Sequence, residues 1–267
     1  MEHNNLAIRR EVVKQARQVI VKAGTRLLTS QEAIAELVEG IDALRRHGSR
    51  VLLVSSGAVG MGMRILGLKK RPKELAQVQA LAAIGQSRLM SIYDEECGRR
   101  NFKTAQLLLT ADDLRSRKRY LNVMNCINAL WENGVLPIVN ENDPVSVDEL
   151  KFGDNDTLAA VVAVNVEADL LVLLSDIDGL YTQDPHKFPS ARLLSQVEEL
   201  TPEIFALAGE KGSPLGTGGM RTKLCAAEIS TNAGIDMIIA NGADPLALYN
   251  IADGKAFGTK FVGKRRR

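Results

Sequence analysis

A chain of 267 residues is long enough to bury an ordinary core without disulfides or a structural metal. Its 45% hydrophobic and 25% charged residues suit a soluble globular protein and exclude collagen, coiled coil or whole-chain disorder. With 34 basic against 32 acidic residues and 4% aromatics, it lacks the global field and the stacking platform of a nucleic-acid binder.

Residues 1–17 read as a polar, helix-compatible N-terminal extension. Residues 18–23 (QVIVKA) form a buried strand. Residues 30–47 carry Ile34, Leu37, Val38, Ile41 and Leu44 on one helical face, with Ser30 as the N-cap and Gly48 as the stop. A second apolar strand spans 50–55. A long helical region follows Pro72 and reaches Asn101, with a break expected at Gly85. Strands at 104–109 and 135–140 flank a helix at 116–133 that Gly134 stops. Residues 156–166 read as a helix opening with aspartate, favourable at the positive end of the helix dipole. A fifth strand at 169–175, a helix at 217–233 and a sixth strand at 235–240 complete the pattern. The reading is one domain over 18–263, followed by the basic tail Lys264-Arg265-Arg266-Arg267.

Strands this apolar, alternating with helices, predict a three-layer α/β/α sandwich around a mostly parallel central sheet. Three scattered cysteines, Cys97, Cys126 and Cys225, predict free thiols buried or half-buried in helices. His3, His47 and His186 are isolated, so zinc chemistry and a Ser-His-Asp triad are poorly supplied. No apolar run reaches membrane-spanning length, and the N-terminus lacks a signal core, so a cytoplasmic protein without membrane or nucleic-acid partners is expected.

Ligands of parallel sheets bind beyond the carboxyl ends of the strands. There the chain is polar and glycine-rich, on an otherwise apolar scaffold. Lys22 sits at the end of the first strand, a costly place unless it faces a polar site. Ser55-Ser56-Gly57-Ala58 opens a helix and suits a carboxylate or phosphate. Gly216-Thr217-Gly218-Gly219 leads into a helix whose first turn holds Lys223, yet it is neither a Walker loop nor a dinucleotide fingerprint. Lys22 and Lys223 together can neutralise a transferring phosphoryl group, and Asp156 can hold both. Asn140, Asn142, Asp143, Asp154, Asn155 and Asp156 form a dense set suited to an ammonium group. The turn Ser175-Asp176-Ile177-Asp178-Gly179 reads as a nucleotide contact, since it lacks the length of a calcium loop.

In this order VKAGT, VSSGA, NEND, GDND, LSDIDGLYTQDP and GTGGMRTK resemble the amino acid kinase family, over residues 19 to 260. NEND followed by GDND resembles its branch that phosphorylates the γ-carboxylate of free L-glutamate with ATP, the first step of proline biosynthesis. The resemblance implies the carbamate kinase-like fold. It implies that Lys22 and Lys223 stabilise the phosphoryl group while Asp156 organises them. Ser56, Gly57, Asp143, Asp154 and Asn155 would bind glutamate. Lys22, Ser175, Asp176 and the run Thr217, Gly218, Gly219, Met220, Arg221, Thr222 and Lys223 would bind ATP. Magnesium would travel with the nucleotide, without a metal site of the protein's own. Homo-oligomer formation and inhibition by proline are further family expectations; many bacterial members also carry a C-terminal PUA domain, which this chain, ending at Arg267, is expected to lack as a departure from that pattern. Arg26 departs from the small hydroxyl residue common at its position. The competing readings are kinases of acetylglutamate, aspartate, carbamate or uridylate, and a non-catalytic nucleotide or metabolite sensor.

Overall fold

The protein is described by a computed structural model over residues 16–146, 154–208, 219–255 and 257–264. Five apolar strands run parallel: β1 (Gln18–Ala23), β2 (Arg50–Val54), β3 (Thr104–Leu109), β4 (Leu136–Glu141) and β5 (Leu170–Ser175). β6 (Gln196–Val197), β7 (Asp236–Asn241) and β8 (Thr259–Phe261) extend the sheet, whose order is β3-β4-β2-β1-β5-β7-β8-β6. One neighbouring pair is antiparallel, β7 with β8. β1 is therefore the seam: β2 to β4 build one side of it and β5 to β8 the other.

Alternation along each strand feeds two cores. Val19, Val21, Leu53, Val172 and Leu174 face one layer, while Ile20, Leu52, Val54, Leu171 and Leu173 face the other. The first layer is helices α1 (Gln31–Arg46), α2 (Ala58–Ile65), α3 (Leu75–Gly98) and α9 (Ala247–Ala252). The second contains α5 (Arg117–Glu132), α6 (Asn155–Asn165) and α8 (Met220–Asn232). Short helices α4 (Ala111–Arg115) and α7 (Pro202–Ala206) occupy connections. Each fully buried Leu or Ile contributes roughly 1.5–3 kcal/mol, so the two aliphatic cores carry this fold.

Local signals explain the helix ends. Ser30 accepts the N–H of Ala33 at 3.2 Å and caps α1, and Gly48 leaves that helix with φ +91°. The sandwich and its mostly parallel sheet are as expected, and three corrections apply to the details. α3 does not break at Gly85. There α2 crosses so closely that a Cβ would lie 1.8 Å from the carbonyl of Ala58, and glycine serves proximity rather than a kink. Cys126 is exposed, because α5 buries Met124, Ile127 and Trp131 instead; Cys97 is buried and Cys225 intermediate. β3 is an edge strand with Gln106 exposed, so not every strand is covered on both faces. β6 and β8 escaped notice because two or three residues show no period.

Among the described residues no helix is long and apolar enough to cross a membrane.

Candidate active site

β4, β2, β1 and β5 are neighbours in the sheet and all parallel, so their carboxyl ends open on one mouth. Lys22 is the penultimate residue of β1 and only 8% exposed. Lys223 comes from the first turn of α8 and is 6% exposed. Both ammonium groups meet on Asp156: Lys22 Nζ lies 2.6 Å from Oδ1 and Lys223 Nζ 3.0 Å from Oδ2. Thr222 donates to the same Oδ2 at 3.2 Å. Asp156 is 1% exposed. Burial opposes its ionisation, but the two lysines outweigh burial and hold its pKa below the ordinary carboxylate value. The trio brings two positive charges to one negative, so a net positive charge remains near the mouth.

The start of α6 explains how Asp156 gets there. Asp154 caps the helix, accepting the N–H of Thr157 at 2.8 Å. Burial, with neighbouring Asp156 adding to it, raises the pKa of Asp154. Asn155 and Asp156 follow in the first turn, about 100° apart around the axis, so they serve different sides of β1. Asn155 turns toward β2 and β4. Its Nδ2 lies 2.8 Å from the Ser55 carbonyl, 2.8 Å from Ser56 Oγ and 2.9 Å from Asn140 Oδ1.

Ser56 is buried just beyond β2, and Gly57 follows with φ +89°, a conformation that glycine adopts without strain. That turn starts α2. Asp143 lies after β4 in the wall of a cavity of about 400 Å³, whose lining includes Ala58, Gln86, Ser87 and Glu141. An acidic, partly apolar cavity beside a lysine-rich mouth suits a small amphoteric molecule.

The β5 end supplies the other shore. Ser175 is buried and donates to Asp176 Oδ1 at 3.1 Å, while the exposed Asp176 pairs with Arg26. Burial works against the charge of Asp176; backbone and Arg26 contacts prevail and lower its pKa. Gly219 caps α8, and Met220, Arg221, Thr222 and Lys223 form its first turn. Thr217 and Gly218 lie outside the described residues. Lys22, Asp156 and Lys223 are thus brought together, as are Ser56 and Asn155; Ser175 and Asp176 sit one strand away from Lys22.

Two contributors to this site were not singled out from sequence, and Thr222, read there as a nucleotide contact, also places its hydroxyl 3.2 Å from Asp156 Oδ2. Gln86, buried on α3, and Tyr93, which shares a 2.9 Å hydrogen bond with Ser55, were missed. Their signal was a polar group on the helical face of Leu89 and Ile92, which is visible but common.

The amino acid kinase family model matches residues 17–241. Glutamate 5-kinase of Geobacter metallireducens is 46% identical over 264 residues, covering 97% of this chain and 71% of that protein. Glutamate 5-kinase of Deinococcus radiodurans is 48% identical over 256 residues, 94% of this chain and 70% of that one. Among solved structures, carbamate kinase from Giardia lamblia bound to AMP-PNP superposes with a TM-score of 0.66 at 18% identity, over 94% of this chain and 100% of that one. Isopentenyl phosphate kinase of T. acidophilum does so at 0.64 and 17%, over 91% and 99%. At such identities the two structures establish the carbamate kinase-like fold alone.

Proposed function

Because the chain belongs to the amino acid kinase family, we propose that its two-lysine mouth is where phosphate passes from ATP to glutamate. The activity is ATP-dependent phosphorylation of the γ-carboxylate of L-glutamate, which yields the acyl phosphate that opens proline biosynthesis. A γ-carboxylate oxygen attacks the terminal phosphorus; the new O–P bond forms as the bond to ADP breaks. The carboxylate is already ionised, so no general base is required, and positioning with charge neutralisation must lower the barrier.

The observation that carries this reading is the shared carboxylate. Asp156 holds Lys22 on one oxygen and Lys223 on the other, and a pair of ammonium groups so fixed suits the spread charge of a transferring phosphoryl group. Both lysines are catalytic in this proposal and Asp156 fixes them. Ser175, Asp176, Gly219, Met220, Arg221 and Thr222 take the nucleotide, with Thr217 and Gly218 completing the run. Ser56, Gly57, Asp143, Asp154 and Asn155 take glutamate, the acidic residues toward its free ammonium. Acetylation would remove that positive charge, and the site would then face an uncompensated acidic cluster.

Among the described residues no three His, Cys, Asp or Glu groups stand together as a metal cage. Mg²⁺ belongs to the proposal as a companion of the nucleotide phosphates, where it would neutralise charge on the leaving group. The proposed catalytic unit spans residues 18–263, with a preceding extension and a basic tail; a homo-oligomer under proline feedback in the cytoplasm belongs to the same proposal.

The test is hydroxylamine trapping with Mg-ATP, comparing L-glutamate, N-acetyl-L-glutamate and L-aspartate. Hydroxamate from free glutamate alone is the expected result. Hydroxamate from either other acid would overturn the assigned acceptor, and none from any acid would overturn acyl transfer.

A further inference from the structure

Asn155 has two amide hydrogens, and three acceptors surround its Nδ2: the Ser55 carbonyl, Ser56 Oγ and Asn140 Oδ1. Asn140 is 3% exposed. Its Oδ1 also accepts the N–H of Glu141 at 2.9 Å, and its own Nδ2 donates to Gln86 Oε1 at 2.9 Å. Gln86 is 7% exposed on α3, and its Nε2 has no partner among the described residues. Three side-chain amides thus form one directional chain from α3 through β4 to α6. Each amide must point its nitrogen toward the next oxygen, so the orientation of one dictates that of the following one.

We propose that Gln86 is a positioning residue for the glutamate side of the site, acting through Asn140 on Asn155 and Ser56. The inference rests on the glutamate reading given above. Gln86 Oε1 turns the Asn140 amide so that its Oδ1 faces α6. That oxygen, with Ser55 and Ser56, then occupies the nitrogen of Asn155. With its nitrogen engaged, Asn155 offers the substrate its carbonyl oxygen, which receives an ammonium and repels a carboxylate. Ser56 Oγ accepts from Asn155, so its own hydrogen is left to donate to a substrate oxygen. The polarity of both contacts is therefore decided at a residue on another helix. Gln86 also lines the cavity that holds Asp143, which places the first amide of the chain beside the pocket it serves.

Four variants test this, each assayed for KM of glutamate, KM of ATP, kcat and thermal midpoint. Gln86→Met keeps length but removes the acceptor. It should raise the KM for glutamate about tenfold, leaving the KM for ATP and kcat within about twofold. Gln86→Asn, one methylene shorter, breaks the same contact and carries the same expectation should the methionine variant not fold. Gln86→Glu keeps an acceptor oxygen and should return the KM for glutamate to within about threefold of the parent. An unchanged KM for glutamate in both breaking variants overturns the proposal. So does a loss shared equally by the KM for ATP and kcat, which marks a merely structural residue. Asn155→Ala separates the two readings. If it leaves the KM for glutamate unchanged, the glutamate assignment of this pocket fails; if it raises that KM while the Gln86 variants do not, only the relay fails.

Discussion

The two sides of β1 solve opposite problems with opposite chemistry. On the β5 side, Lys22, Asp156 and Lys223 concentrate charge in a buried ion cluster. On the β2 side, the buried Gln86, Asn140 and Ser56 and the half-buried Asn155 make a network without a formal charge. In the proposed reaction the transferring phosphoryl group spreads its charge over its equatorial oxygens while negative charge builds on the leaving ADP, so fixed cations would act where the barrier lies. The α-carboxylate and ammonium of the proposed substrate keep their charges throughout, so neutral dipoles beside Asp143 and Asp154 can orient them with few further buried ions. The two networks meet on consecutive residues of one helix, Asn155 and Asp156, which the geometry of α6 sends to different sides.

The contrast can be broken at its strongest point. Asp156→Asn leaves two buried ammonium groups without their shared carboxylate, and should cost about 3–5 kcal/mol of stability in denaturant unfolding. It should also abolish most turnover. Because the folded pKa of Asp156 is depressed, its contribution is present above the ordinary carboxylate value and is lost as pH falls through the folded one. The parent should therefore lose stability below about pH 4, and this limb of the profile should flatten in Asp156→Asn. An equally steep acid limb in the variant would refute the assignment.

Lys223→Ala probes the charged side without removing its anchor. Turnover should fall about a hundredfold or more, with the KM for ATP altered only about threefold, since the cation acts mainly in the transition state. Equal losses in both would place Lys223 in ground-state binding. Gly85→Ala attacks the neutral side through packing: the new Cβ collides with the Ala58 carbonyl and must part α2 from α3. It should cost about 1–3 kcal/mol and raise the KM for glutamate more than that for ATP. Asp143→Ala should have the smallest effect, an increase of about tenfold in the KM for glutamate and little change for ATP. An effect confined to ATP would move Asp143 to the other side of the seam.

Much of this was legible in the chain. Strands β1, β2, β4, β5 and β7 carry aliphatic runs, as strands covered on both faces must, whereas β3 at the edge interrupts its run with Gln106. Lys22 and Asp156 were visible because a charge beside such a run is costly unless a site employs it. The expected break at Gly85 shows the opposite case: a glycine within a helix signals either a kink or a close neighbour, and only the position of α2 decides between them. Gln86 was illegible for a related reason. One polar residue on a helical stripe is ordinary until its partner, 54 positions away on β4, is known.

The sequence by itself determined the layered α/β architecture, the strands flanking the mouth and the residue types gathered at their ends, because burial and periodicity are local properties of the chain. Only the tertiary structure decided which of those residues share a partner. Lys22 and Lys223 converge on one carboxylate from elements far apart in the chain, and Gln86 reaches Asn155 through Asn140. Distances of about 3 Å between remote side chains follow from how strands stack and helices cross, which no local pattern encodes.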